Sequence, residues 1–379
     1  MRGRRARAAA TVLAACLPLT GCWNAIPLGH RALIQILAVD PAGGRDLRWT
    51  FFQASAAALS EMASGGGTSG PGSTASDQVT PVSVRAPTLA DAYRRAQAIT
   101  SRDLYLGQLQ QVVLSERLTP AQLRLAIDSL AHTAELDQSQ DLFAAPAGAA
   151  ATILRPDPQE LFPAAYLDHV ANCPTCTTVS MTVSLMEAFV RTRVGWGTLV
   201  LPEVQPSPLG LSVRGAAVYA GGRLVARLGE EQAALLGLLR GLVTKTALSF
   251  AVPGVGRCSV RSVSARSHVH AEWRGGRVLA QVRVDLTGDI LSVEPDLGRP
   301  FVALARPVNA ALAREVAGRG ARLLAPLLAR GADPLGFGHV LWDGDPSAAP
   351  SPSAWRQGLG RAQVRITVRS DLRSEGVVR

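Results

Sequence analysis

Lysine is all but missing from this chain: Lys245 stands alone among 39 lysines and arginines. The positive charge is therefore carried by arginine, which reflects a GC-rich genome rather than a nucleic-acid site. Aromatics are scarce at 5%, and the arginines are scattered rather than interleaved with them. That excludes the stacking platforms of single-strand binding, and no nucleic-acid partner is expected. Enzyme signatures are missing as well. There is no Walker A loop, no G-x-S-x-G elbow and no H-E-x-x-H helix. No catalytic residue, cofactor or metal set is assigned. Hydrophobic residues make up 47% of the chain, yet no apolar run reaches the ~20 residues that cross a hydrocarbon core. A globular protein that is anchored to a membrane, not embedded in it, is expected.

The anchor is written near the N-terminus. Arg2, Arg4, Arg5 and Arg7 precede an apolar stretch from Thr11 to Leu19, and Leu19-Thr20-Gly21-Cys22 follows. Positive, apolar and small-residue segments in that order are the three parts of a secretory signal. The run ending in Cys22 resembles a bacterial lipobox, where the leader is cut and the thiol is lipidated. Residues 1–21 are therefore expected to be a signal peptide. Cys22 is expected to carry acyl chains such as palmitate, and two chains hold far more firmly than one. The formal net charge of +10 falls to +6 without the four leader arginines, which still favours anionic headgroups.

Of the five cysteines, Cys16 leaves with the leader and Cys173, Cys176 and Cys258 remain beside Cys22. Cys173-Pro174-Thr175-Cys176 is a C-x-x-C, preceded by His169. A thioredoxin-like pair opens a helix after a strand, and no βαβ unit is expected around this one. Zinc would need a fourth ligand, with Cys258 or His132 as candidates. A local disulfide, inert thiols, a structural metal and a redox pair stay open. His268 and His270 lie two apart on a strand and share a face, a half-exposed one. Asp343-Gly344-Asp345 lacks the later glutamate of a calcium loop and reads as a solvated turn. Glu230-Glu231 complement a helix start.

Periodicity predicts a mixed α+β fold of hairpins and crossing helices. Strands are expected over 32–40 and 47–54 as a hairpin, at 82–84 and over 109–115. A helix over 89–100 is capped by Thr88 and carries Leu89, Ala92, Tyr93, Ala96 and Ile99 on its apolar face. Thr119-Pro120 starts another. Residues 141–154 read as a strand and then an alanine-rich segment, Asp157 begins a short helix, and 181–193 forms a further one. Pro202 to Pro208 reads as a linker. Hairpins turn at Gly221-Gly222 and Gly275-Gly276, with a helix over 230–242 between them. The longest helix, Arg306 to Leu328, points Val308, Leu312, Val316, Leu323, Leu324 and Leu327 inward against an antiparallel sheet. Pro326 should kink its last turn, Gly331 ends it, and the last strand runs over 363–368. The expected domains are 22–200 with a flexible insertion at 63–78, a small hairpin–helix unit at 201–256, and 257–379.

Several of these segments, in this order, resemble the C subunit of spore germinant receptors, the Ger(x)C lipoprotein family. The carriers are Gly21-Cys22-Trp23, the strand ending in Val39-Asp40, and Ala98-Ile99-Thr100-Ser101-Arg102-Asp103-Leu104-Tyr105. Val213 to Tyr219 with Leu224-Val225, and Asp333-Pro334-Leu335-Gly336-Phe337-Gly338, complete the set. The chain departs from the family pattern at Asn24-Ala25-Ile26-Pro27 and at Gln108. The resemblance implies a non-catalytic receptor subunit on the outer face of the spore inner membrane, beside membrane-spanning A and B subunits. A solute-binding lipoprotein is the alternative, but it would show two lobes of repeated βα units. An envelope thiol-disulfide protein using Cys173 and Cys176 is another. In Asp333, Gly336, Phe337 and Gly338 the glycines suit positive φ and Phe337 suits a gap between helix and sheet. The motif reads as a fold staple, with a partner surface as the other reading.

Gly and Ser dominate 63–78, and no residue there can anchor to a core. Deletion of 65–76 should leave the melting temperature nearly unchanged. A large drop would show that the segment packs.

Overall fold

The computed structural model describes residues 30–54, 79–154, 163–172, 181–194, 196–208, 210–242, 247–295, 300–344 and 350–373. Cys22, Cys173, Cys176, the 63–78 insertion and the expected helix start at Asp157 lie outside them. The described residues form two sheets with helices packed on them, an α+β architecture as expected.

The first sheet begins with β1 (Arg31–Pro41), β2 (Leu47–Ala54) and β3 (Val79–Ala86), an antiparallel meander. β4 (Asp103–Tyr105) and β5 (Gln111–Ser115) both lie parallel to β1. β6 (Asp141–Ala145) is parallel to β5, and β7 (Thr198–Ser207) meets β6 in parallel at Ala144 and Glu203. β8 (Gly210–Ala220) and β9 (Arg223–Leu228) complete the sheet as antiparallel hairpins. Every residue of β5 is buried, as a central parallel strand covered on both faces should be.

One face is covered by α1 (Leu89–Gln97), α2 (Pro120–Ala131) and α5 (Leu185–Arg193), the other by α3 (Ala149–Ile153) and α4 (Pro163–Asn172). α2 starts as its sequence requires. The Thr119 side chain accepts from the Gln122 N–H, Gln122 reaches back to Thr119, and Pro120 fills the first turn, a closed capping box. α1 stops at Gln97, so Ile99 falls beyond its apolar face and is 69% exposed. α5 begins only at Leu185, because Ser184 caps it with a hydroxyl that accepts from the Glu187 N–H.

The expected linker at 202–208 is a strand instead. Residues 198–204 of β7 are all buried. Pro202 is tolerated by position, because it borders the bulge where the pairing with β8 shifts between Pro202 and Val204; Pro206 pairs with Leu211 near the strand's end. Two corrections follow. The runs β5–α2–β6 and β6–α3–α4–α5–β7 are parallel crossovers, so βαβ units do occupy the centre of this sheet, and the C-x-x-C falls inside the second one, after α4. Residues 201–256 also form no sheet of their own. β7, β8 and β9 continue the first sheet, while β10 (Ala247–Val252) opens the second.

The second sheet runs β10, β11 (Gly256–Arg274), β12 (Arg277–Glu294) and β13 (Gln363–Arg373). It was expected to be antiparallel, but β13 lies parallel to β12. A parallel neighbour needs a long crossover, here α7 (Phe301–Ala329), α8 (Phe337–Gly344) and α9 (Pro352–Leu359). α7 lies on the inner face of this sheet with α6 (Glu230–Leu239), and Val308, Leu312, Val316, Leu323, Leu324 and Leu327 are all buried. No described helix is long and apolar enough to cross a membrane.

Candidate functional site

The turn between α7 and α8 is the most densely fastened corner of the protein. α7 ends where the Gly331 and Ala332 N–H groups donate to the carbonyls of Leu328 and Leu327 at 2.9 and 3.0 Å, a helix stop closed by glycine. Asp333 follows and is buried. Its own N–H donates to the Thr198 hydroxyl on β7 at 2.7 Å, and its carboxylate accepts the Gly338 N–H at 2.8 Å. The side chain thus caps α8 while the backbone holds the first sheet. Burial pushes the Asp333 carboxyl up; the amides of Gly338, Phe337 and Gly336 and the charge of Arg191 pull it back.

The two glycines of the motif have separate reasons. Gly336 has φ +77°, a left-handed turn that side chains resist. At Gly338 the need is space: a Cβ would lie 2.7 Å from Trp196 and 3.1 Å from Trp355. Between them Phe337 is 0% exposed, in one apolar cluster with Trp355, Leu327 and Val278. Trp196 stacks at a tilt on Trp342, ring centres 4.8 Å apart, and Trp273 lies 6.0 Å from Trp355. Four of the six tryptophans of the chain gather here.

Thr198, Trp196 and Arg191 were not anticipated from the sequence. The signal available was a tryptophan between two glycines, Gly195-Trp196-Gly197. Arg191 donates to the Thr198 carbonyl at 3.2 Å and to Glu187 at 2.8 Å, and Glu187 also pairs with Arg240 at 3.5 Å. This chain of contacts runs from α5 through β7 to the Asp333 turn.

Other residues singled out in the sequence lie apart from this corner. Asp40, at the end of β1, accepts the N–H groups of Ala149 and Ala150 at 2.7 and 2.9 Å and so caps α3. The segment 98–105 is tied down by Gln97, which accepts from the Leu104 N–H at 2.9 Å and donates to the Arg102 carbonyl at 3.1 Å. Cys258 is a free, fully buried thiol in the core of the second sheet. His132 is at the end of α2, its Nδ1 at 2.6 Å from the Asp128 carbonyl. His268 and His270 are exposed. His339 reaches Asp343 at 3.5 Å on exposed α8, and Asp345 is outside the described residues. Among the described residues no three His, Cys, Asp or Glu side chains converge to hold a metal.

A second cluster joins β5, β7, β8 and β9. Glu116 and Glu203 are both buried, and Arg227 binds Glu116 at 2.5 Å from the rim. Burial, then the charge and hydrogen bond of Glu116, push the Glu203 carboxyl up to about 7 from 4.5; Arg227 pulls it down. Burial and the neighbouring charge both disfavour the ionised form of Glu203.

Two expected outcomes follow from this geometry. Truncation of Phe337→Ala should cost about 3–5 kcal/mol, a large share of the ~5–15 kcal/mol that holds a domain. The check is a melting curve of the purified protein; unchanged stability with lost partner binding would place Phe337 at an interface. For Glu203, the folded protein keeps a proton between pH 4.5 and about 7 that the unfolded chain releases. Stability should therefore fall as pH rises through that window. Glu203→Gln should flatten this slope in melts taken across it, and an unaltered slope would assign the proton elsewhere.

Comparison with known proteins gives the family. The description "Spore germination protein N-terminal domain" matches residues 24–206, and "Spore germination B3/GerAC like, C-terminal" matches residues 214–376. No curated protein matches. Among solved structures, "Crystal Structure of the GerBC protein" aligns over 89% of this chain and 96% of that one, with a TM-score of 0.56 and 12% identity. That likeness shows a shared fold, and the two family matches span both sheets in order. The chain belongs to the GerAC-like spore germination family, the germinant receptor C subunits that its motifs resemble.

Proposed function

We propose that this protein is the lipid-anchored C subunit of a nutrient germinant receptor and that it scaffolds and couples the receptor's A and B subunits. The reading rests above all on the two family matches, which cover 24–206 and 214–376 in order. The lipobox ending in Cys22 supplies the anchor and sets the protein on the outer face of the spore inner membrane. Its role is binding and not catalysis: Asp333, Gly336, Phe337 and Gly338 are absorbed in fastening α8, and the Glu116–Glu203 pair has no reacting partner beside it. The Asp333 corner serves as a fold staple that keeps two sheets in one relative position, so that partner surfaces on both are presented together.

Cys22→Ala should release the protein from membranes or leave an unprocessed precursor, read by fractionation and mass. In the same strains, purification of the A or B subunit should retrieve the parent protein. A variant that stays on the membrane at its mature mass would refute the anchor. Failure to co-purify with either subunit would refute the receptor role.

A further inference from the structure

The second sheet has one covered face and one that is bare among the described residues. α6, α7, α8 and α9 all sit on the side of Val278, Val282, Val284 and Trp273. On the opposite side the cross-strand rows are polar. Arg266 faces Asp285, which faces Arg369; His268 faces Arg283; His270 faces Gln281, which faces Arg365. Arg274 and Arg277 end the hairpin beside them. All six arginines are exposed, and none forms an ion pair among the described residues. Against them this area sets Asp285 and Glu272, and Glu272 contacts His270 at 3.3 Å. Farther along β13, Asp371 and Arg373 add one charge of each sign.

A solvated sheet face normally mixes signs, and charge on an edge strand prevents stray pairing. Edge protection accounts for Arg365 and Arg369 on β13. It does not account for Arg283, whose strand is hydrogen-bonded on either side. The face also lacks what a protein partner would grip. Protein interfaces are anchored by buried aromatic or aliphatic groups; here the apolar side chain beside the arginines is half-buried Leu279, and exposed Leu291 lies at the far end of β12. Unpaired arginines on a broad, flat surface suit a ligand that offers negative charge without a pocket, which is what anionic headgroups present.

We propose that this face of β11, β12 and β13 docks on an anionic membrane surface, with phospholipid headgroups as its ligands. The docking goes beyond the receptor reading and does not require it. Charge complementarity carries it, and a lipid on Cys22 would hold the face within reach of the headgroups. With one tether alone the protein could turn freely; with this face down, its orientation is set.

The test uses protein that begins at Trp23, which contains every described strand and helix. It should sediment with vesicles of phosphatidylglycerol and phosphatidylcholine but not with phosphatidylcholine alone, and salt should weaken the binding. Arg283→Glu with Arg365→Glu should lower partitioning at least about tenfold. Arg283→Gln with Arg365→Gln should lower it less, because charge is removed and not reversed. Arg124→Glu with Arg214→Glu, exposed on the first sheet's side, should leave it unchanged. Melting curves verify that each variant is folded. Equal loss in the two charge-reversed pairs, or no preference for anionic vesicles, overturns the proposal. So does a result in which these arginines matter only for binding purified A or B subunits, which would make the face a protein interface. The vesicle assay contains no other protein, so its failure leaves the receptor reading untouched.

Discussion

The contact between Asp333 and Thr198 is the constraint on which the arrangement of the whole chain depends. The two sheets share one apolar cluster, in which Val200, Ala216 and Val218 of the first join Val278, Val282 and Leu286 of the second. Burial is not directional, and direction comes from a buried turn that uses its backbone for one sheet and its side chain for a helix of the other. A carboxylate is costly to bury, and this one is tolerated because several amides point at it. Those amides belong to the first turn of α8, so the cap and the joint are a single structure. Gly338 then brings Trp196 and Trp355 close enough to seal the turn from water.

The same device occurs at the other end of the chain. Asp40 leaves β1 and receives the first amides of α3. In both cases an acidic residue at the end of one element fastens a helix that begins elsewhere. Helix N-termini carry partial positive charge and unfilled donors, and one carboxylate satisfies both. That explains why short acidic motifs are among the recognisable parts of this protein. Their side chains hold geometry.

Much of this was legible in the sequence where the signal is local. The Gly-Gly turns marked two hairpins, Thr119-Pro120 marked α2, and the apolar period of α7 named its buried residues. Phe337 stood out as a large apolar side chain between glycines. Where a signal depended on a distant partner, it was lost. Pro202 and Pro206 argued against a strand, and the bulge beside Pro202 in the pairing with β8 is not visible in local spacing. Without β7 the crossover from β6 to β7 vanished too. Ile99 fitted the period of α1 but lies past its end. The parallel pairing of β13 with β12, the bond from Asp333 to Thr198, and the approach of Glu116 to Glu203 join residues remote in sequence, and no local spacing records them.

That parallel pairing bears on how the chain is made. β12 ends at Glu294 and its neighbour starts at Gln363, so the second sheet stays open until the long crossover and β13 have both been made. In the meantime α7 has no β13 to cover its apolar side, and non-local pairings of this kind form late and slowly. An exposed helix and an open sheet edge must then find each other before they meet another copy.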